Sequence, residues 1–467
     1  ECPRRVPAIE PESIHMTIFH SARQMLRNLW FPLLLALLGQ SAWAALPIQH
    51  WTQPSGAKVY LVESHGIPML DVQLDFDAGD RRDPADKAGL ATVVSRMSSK
   101  GLAARAGQPA LDENQLSEAW ADLGAGLSVN AGADRLSFSL RTLSYPDLLP
   151  QAVALAARQL GEPAFPEAIW TQERVRIGAA IREANTRPAT LASKAFVAAV
   201  YGKHPYGYDT TEASLARISV ADMQQFYARF VEPCRAKVSL VGDVTRAQAD
   251  ALVKALLARL PQREAARCAA LPPVAEVAAL TAPVTRTIPF ESAQAHVLIG
   301  QPGYQRADPD FFALTVGNYT LGGGGFVSRL TSEVREKRGL TYSVYSYFAP
   351  GLHAGAFTIG LQTRPDQAAQ AVDVARAVLA KFVAEGPTEA ELQAAKDNLV
   401  GGFSLRIDSN AKLLDNIANI AWNNLPLNYL DTWTAQVEKI TAADIKAAFA
   451  RKLQPERMVT VVLGDGA

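Results

Sequence analysis

Net charge is the first thing this chain lacks. Lys and Arg total 46, and so do Asp and Glu. No basic field draws nucleic acid or anionic lipid, so both partners are set aside. Long apolar runs are scarce too. Residues 29–39 (LWFPLLLALLG) form the first candidate, about half of the ~20 residues a spanning helix needs. No later segment is long and apolar enough, so no membrane span is expected in the mature chain. Cysteine is rarer still: three in 467 residues, none in a CxxC pair, which removes the commonest sulfur-metal and dithiol motifs. Beyond residue 44 the histidines are His50, His65, His204, His296 and His353, and no two stand at metal-ligand spacing.

What is present is an ordinary globular composition, 48% hydrophobic and 20% charged, at a length that suggests two to four domains. Met16 opens a stretch with Arg23 and Arg27, the apolar run follows, and Ala42-Trp43-Ala44 supplies small residues at both positions an export peptidase reads. These three parts make a secretory signal peptide over 16–44. The expected mature chain starts near Ala45 and is periplasmic. Residues 1–15 precede the Met and are read as lying before the natural start. Cys2 falls among them. Cys234 and Cys268 remain, a pair that can be joined or left as two thiols.

The chain repeats itself. Residues 218–243 (ISVADMQQFYARFVEPCRAKVSLVGD) align without a gap on 440–465 (ITAADIKAAFARKLQPERMVTVVLGD), at an offset of 222. Ile, Ala-Asp, Ala-Arg, Pro, Arg and the final Gly-Asp are identical. The physics repeats as well. Ser219 or Thr441 caps a helix with an acid three residues on; Pro ends the helix; an apolar strand runs into Gly-Asp. Two copies of one domain are expected, over 45–260 and 284–467, joined by an Ala- and Pro-rich linker over 261–283.

Each copy reads as α+β, strands first and helices after. In the first, strands are expected at 58–62 and 70–76, a hairpin at 127–130 and 136–140, and helices at 87–98, 111–123, 145–160, 166–185 and 189–200. In the second, strands are expected at 295–300, 342–347 and 356–361, with helices on both sides of Gly322–Gly325 and on to Leu453. Thr388 to Glu391 is a capping box opening one of them.

Several motifs together resemble the pitrilysin/insulinase metallopeptidase family. Ala88-Gly89-Leu90-Ala91 with Met97 and Lys100-Gly101 resembles its zinc-site helix, and His204-Pro205-Tyr206-Gly207 another segment. Leu321-Gly322-Gly323-Gly324, Ser328-Arg329-Leu330 and the run from Arg335 to Ser343 (REKRGLTYS) are similar to its C-terminal signature. The resemblance covers nearly the whole mature chain. It implies tandem domains, each an antiparallel-rich sheet with helices packed on one face.

Active members carry His-x-x-Glu-His on that first helix, two imidazoles for zinc and a Glu as general base, with a second Glu on a later helix. The matching positions here are Thr92, Ser95, Arg96 and Ala180, so no metal is expected in this chain. The family also places an Arg and a Tyr seven residues apart opposite the zinc, where both can donate to a peptide carbonyl. They match Arg335 and Tyr342. The turn Gly322, Gly323 and Gly324 has no following Lys-Ser/Thr, which argues against a nucleotide loop; it suits either close passage of a peptide backbone or a purely structural turn. The resemblance implies a non-catalytic subunit that pairs with a zinc-bearing homologue, binds peptide and lends Arg335 and Tyr342 in trans. The rival expectation is a catalytically dead peptide-binding or scaffold protein of the cell envelope.

Overall fold

A computed structural model of the chain describes residues 47–105, 107–261 and 268–464. The expected signal sequence, the leader before it with Cys2, and Asp465 of the repeat lie outside these residues. The strands are β1 (Gln49–Thr52), β2 (Lys58–Glu63), β3 (Met69–Phe76), β4 (Gly101–Leu102), β5 (Leu111–Asp112), β6 (Gly126–Ala131), β7 (Leu136–Leu143), β8 (Lys237–Gly242), β9 (Val284–Ile288), β10 (Ala295–Tyr304), β11 (Val344–Phe348), β12 (Gly355–Thr363) and β13 (Val459–Leu463). The helices are α1 (Leu90–Met97), α2 (Glu113–Asp122), α3 (Leu149–Gly161), α4 (Glu167–Ala184), α5 (Pro188–Tyr201), α6 (Glu212–Ala216), α7 (Val220–Phe230), α8 (Arg246–Leu257), α9 (Phe311–Asn318), α10 (Ala368–Glu385), α11 (Glu389–Gly401), α12 (Asn410–Trp422), α13 (Tyr429–Lys439) and α14 (Ala442–Lys452).

Two sheets carry the repeat. The first runs β1-β2-β8-β3-β7-β6 and the second β11-β12-β10-β13-β9. In the first, β8 pairs parallel with β2 and antiparallel with β3. In the second, β13 pairs parallel with β9 and antiparallel with β10. The expected repeat is therefore one piece of structure built twice: a capped helix (α7 or α14), a short 3-10 turn opened by Pro233 or Pro455, and a central strand. Both capping boxes form, Ser219 with Asp222 and Thr441 with Asp444, as does the one at Thr388 and Glu391. Each satisfies amide groups that a helix start leaves without partners.

Element bounds shift where local chemistry intervenes. The helix expected over 87–98 begins only at Leu90, because Gly89 sits at φ +97° with Thr210 packed where a Cβ would stand. A left-handed residue cannot continue a right-handed helix. The strand expected from Tyr342 begins at Val344, leaving Tyr342 ahead of it. Cys234 and Cys268 are joined in a disulfide, which settles the pairing that composition left open.

Helices of its own half cover one face of each sheet. In the first, residues of α1, α3, α7 and α8 pack on Phe76, Phe138 and Leu140. In the second, Phe382 of α10 and Phe449 of α14 meet edge to face at 4.9 Å, and Phe449 reaches Phe348. The opposite faces are covered by exchange. Helix α5, from the first half, packs on β10 and β13 of the second sheet, burying Ala192, Phe196 and Val200 against Val459, Val461 and Leu463. Helix α12, from the second half, packs on β3 and β8 of the first. Lys237 of β8 ties it down, its ammonium donating to the carbonyls of Ala421 and Trp422 at 2.8 Å each, at the end of α12.

Candidate functional site

The first-half positions lie around α1. Asp83 opens this helix from a buried place, accepting from the Gly89 and Ala91 amides at 2.8 and 2.9 Å. Burial, reinforced by the neighbouring Asp80 charge, pushes its carboxyl up to about 8 against the pull of those amides. Thr92 donates to Asp80 at 3.1 Å. Ser95 is buried and donates back to the Thr92 carbonyl at 2.9 Å, so its hydroxyl is already spent on the helix. Arg96 is exposed on the last turn of α1, and Ala180 is exposed on α4. Glu173, one turn or two before Ala180, is engaged with Lys100 and Arg176.

Four positions that would need two imidazoles and two carboxylates thus hold two hydroxyls, a guanidinium and a methyl. The donor set does not fit zinc, which takes neutral imidazole, thiolate or carboxylate. One group of three potential ligands does lie within metal-binding distance among the described residues, Glu232, Cys234 and Cys268. Its two sulfurs are bonded to each other.

The second-half residues stand on a different scaffold. Arg335 sits on a wide helical turn, Thr331–Glu336. Gly339 at φ +62° reverses the chain, its amide donating to the Arg335 carbonyl at 2.9 Å. Thr341 then fixes the next step: its hydroxyl accepts from the Ser343 amide at 3.1 Å and lies 2.7 and 2.6 Å from the Ser343 and Gln362 carbonyls, to one of which it donates. The seven-residue spacing is therefore held from both ends, and it puts Arg335 and Tyr342 side by side. The guanidinium lies 4.9 Å from the centre of the Tyr342 ring and 4.8 Å from that of Phe326. Tyr342 is 82% exposed and Phe326 68% exposed. Lys337 and Arg338, two and three residues on, both pair with Glu333; Arg335 has rings for neighbours and no carboxylate partner among the described residues. A guanidinium beside aromatic rings keeps its N–H groups as hydrogen-bond donors.

The glycine turn has an internal explanation. A Cβ on Gly322 would come within 2.4 Å of the Ser346 hydroxyl; on Gly323, 2.7 Å from the Asn318 amide; on Gly324, 2.7 Å from the Tyr319 carbonyl. Gly322 is buried, while Gly323 and Gly325 keep exposed backbone. Arg329 locks the turn to the start of α11, holding both oxygens of Glu391 at 2.7 and 2.6 Å and the Gly386 carbonyl at 3.0 Å. Burial alone would raise the Glu391 carboxyl, but Arg329 and Thr388 hold it down to about 2.

Both sheets end in an open edge. β6 borders the first, its residues alternating exposed and half-buried, with α1 packed beside it. β11 borders the second, carrying Tyr345 and Tyr347 stacked at 6.0 Å. Between β11 and α5 lies a cleft of about 320 Å³ lined by Phe196, Tyr201, His296 and these two tyrosines. Among the described residues no recorded hydrogen bond, ion pair or ring contact joins Arg335 or Tyr342 to Thr92, Ser95, Arg96 or Ala180. Neither Phe326, an aromatic after a glycine run for which no spacing rule exists, nor Asp83 as the acceptor that starts α1 is foreseen from sequence.

Comparison with known proteins gives the same lineage for both halves. The family described as insulinase (peptidase family M16) matches residues 58–214, and the peptidase M16 inactive domain matches 217–399. An uncharacterised zinc protease of Mycobacterium bovis is 27% identical over 425 residues, covering 90% of this chain and 94% of that one. A non-peptidase homologue of Helicobacter pylori is 26% identical over 401 residues, 83% and 88% of the two chains. The crystal structure of a peptidase M16 inactive domain from Pseudomonas fluorescens superposes with a TM-score of 0.83 at 34% identity, covering 89% of this chain and 98% of that one.

Proposed function

Because the chain belongs to peptidase family M16, we propose that it is the zinc-less subunit of a periplasmic peptidase, binding peptide and lending Arg335 and Tyr342 to a zinc-bearing homologue. One observation carries the reading. The metal positions hold Thr92, Ser95, Arg96 and Ala180, while half-buried Arg335 stands beside exposed Tyr342 on a scaffold that fixes their spacing. Surface arginines are ordinarily solvated or paired. Held between two exposed rings, this one is positioned for a ligand.

The chemistry follows from the donors. A guanidinium and a phenol can both donate to a peptide carbonyl as negative charge grows on its oxygen, which lowers the barrier to attack by a nucleophile activated elsewhere. Positioning of the peptide is supported by the edge strand β6, which can add an extended strand, and by the exposed backbone at Gly323 and Gly325; on β11 the Ser346 carbonyl is already taken by the Asn318 amide. The zinc belongs to the partner; no step of hydrolysis is assigned to this chain's first half. A periplasmic place rests on the 16–44 signal pattern. No helix among the described residues is long and apolar enough to cross a membrane.

The test is hydrolysis of a peptide library by the mature chain alone, by the zinc-bearing homologue alone, and by both. Turnover in the mixture alone, cut at least tenfold by Arg335→Ala and less by Tyr342→Phe, is the expected result. Equal turnover with Arg335→Ala sinks the reading. A second reading, a peptide-binding or scaffold protein of the envelope, is favoured by the exposed aromatic patch of Phe326, Val327 and Tyr342, which suits binding without chemistry. It predicts peptide capture and no turnover in any mixture.

A further inference from the structure

The two halves meet at a second polar junction, away from Arg335 and Tyr342. The turn between β11 and β12 brings four main-chain amides to groups outside its own half. Leu352 donates to Asp134 at 3.0 Å, His353 to the Tyr206 hydroxyl at 3.2 Å, Ala354 to Glu276 at 2.8 Å and Ala356 to the Tyr201 hydroxyl at 2.8 Å. Tyr206 is the keystone. Its hydroxyl accepts from His353 and donates to Asp134 at 2.6 Å, and Arg81 holds the same carboxylate at 2.9 Å.

Tyr206 is placed by a histidine. It lies in the short turn Pro205–Gly207, and its amide donates to Nδ1 of His204 at 3.1 Å. An imidazole nitrogen that accepts a hydrogen bond carries no proton. The neutral ring therefore bears its hydrogen on Nε2, which faces the Ala275 backbone without a full hydrogen bond. His204 is 7% exposed and its ring lies 5.1 Å from that of His353. The surroundings are complete: Tyr201 from α5, Arg81 with its partner Asp77, Asp134 from the β6–β7 turn, Glu276 and the Ala275 backbone from the segment before β9, and His353, itself 3.2 Å from Glu276. Burial, His353 and Arg81 press His204 toward the neutral form; Ala275 and Glu276 oppose them and lose.

We propose that His204 is a proton-operated latch between the halves: taking up a proton at Nδ1 ends its acceptance of the Tyr206 amide and releases the tie of Tyr206 to His353 in the β11–β12 turn. Two N–H groups then point at each other, and the turn that positions Tyr206 loses its cap. The Tyr206 hydroxyl shifts from His353 and Asp134, so His353 loses its acceptor, while Leu352, Ala354 and Ala356 keep Asp134, Glu276 and Tyr201. His204 titrates below the ordinary value of about 6.5, so the latch is closed above that pH and opens as pH falls through the lower value in the fold. The inference does not depend on the proposed peptidase role, since the latch lies within this chain.

Hydrogen exchange of the mature chain tests it. As pH falls from 7.5 through the His204 titration, after correction for intrinsic exchange, the Tyr206 and His353 amides should lose protection at least tenfold while the sheets keep theirs. His204→Asn should abolish this loss, because its amide oxygen accepts the Tyr206 N–H and does not titrate. Protection that is unchanged in the parent, or lost equally in both proteins, overturns the proposal. Should the variant fail to fold, imidazole NMR of the parent decides: a neutral Nε2–H ring below pH 6 sustains the latch, and titration at or above about 6.5 removes it.

Discussion

Single side chains explain why parts of the family signature persist in a half-emptied site. Arg329 lies in a motif that invites a functional reading, yet its guanidinium is spent on Glu391 and Gly386. The Glu391 carboxyl is held far below its ordinary value, so the stability it contributes is present above about pH 4.5 and is lost as pH falls toward 2. Arg329→Ala should therefore cost about 2 kcal/mol near neutrality, and the gap from the parent should close as urea unfolding is repeated from pH 5 down to 2.5. A constant gap contradicts this account. Asp83 is a second such residue. Asp83→Ala strands the Gly89 and Ala91 amides in a buried place and should cost about 2 kcal/mol. Denaturant midpoints measure it, and a loss below about 0.5 kcal/mol would mean that water replaces the carboxylate.

Among the elements, what was legible was local. Capping boxes, the Pro that ends α7 and α14, and the alternation of β7 each act within a few residues, so the sequence displays them whole. The β6–β7 hairpin and the repeat followed from those signals. Legibility stops at the partner. Periodicity in α5 says that Ala192, Phe196 and Val200 share a buried stripe, but not that the sheet beneath them is the one more than ninety residues further on. Nor does spacing place Tyr342 outside its strand, which depends on the Thr341 hydroxyl set against the Ser343 amide and the Ser343 and Gln362 carbonyls. At the site, the residue types at Thr92, Ser95, Arg96 and Ala180, none of them an imidazole or a carboxylate, could be read directly. The Phe326 ring beside Arg335 and the Asp83 cap could not, because both depend on turns whose geometry no motif encodes. Phe196→Ala removes the largest side chain of the α5 seam and should cost roughly 3–5 kcal/mol, read by thermal or denaturant melts. A cost near 1 kcal/mol would show that the seam repacks readily.

The molecule as a whole is two sheets that each borrow a helix. A chain ending before β9 keeps α5 with nothing to cover and leaves β3 and β8 bare where α12 should lie. Residues 45–283 and 284–467 produced separately should each give weak near-ultraviolet dichroism and self-associate, whereas refolding them together should restore a compact 1:1 pair. A cooperative melt from either half alone would refute this. The same architecture decides which surfaces are free. With both inner faces filled by exchange, the edge strands, the β11–α5 cleft and the Arg335 patch are surfaces that a peptide or a second subunit can use.

The exchanged helices also set a clock. β8 completes the first sheet, but the helix that seals it leaves the ribosome only with residues 410–422. At roughly 5–20 residues per second, that interval is on the order of ten seconds or more. Until then the early half has a naked sheet and no stable end state. A nascent chain whose first sheet cannot be sealed until residue 422 has emerged keeps that sheet open to other partners for the whole interval.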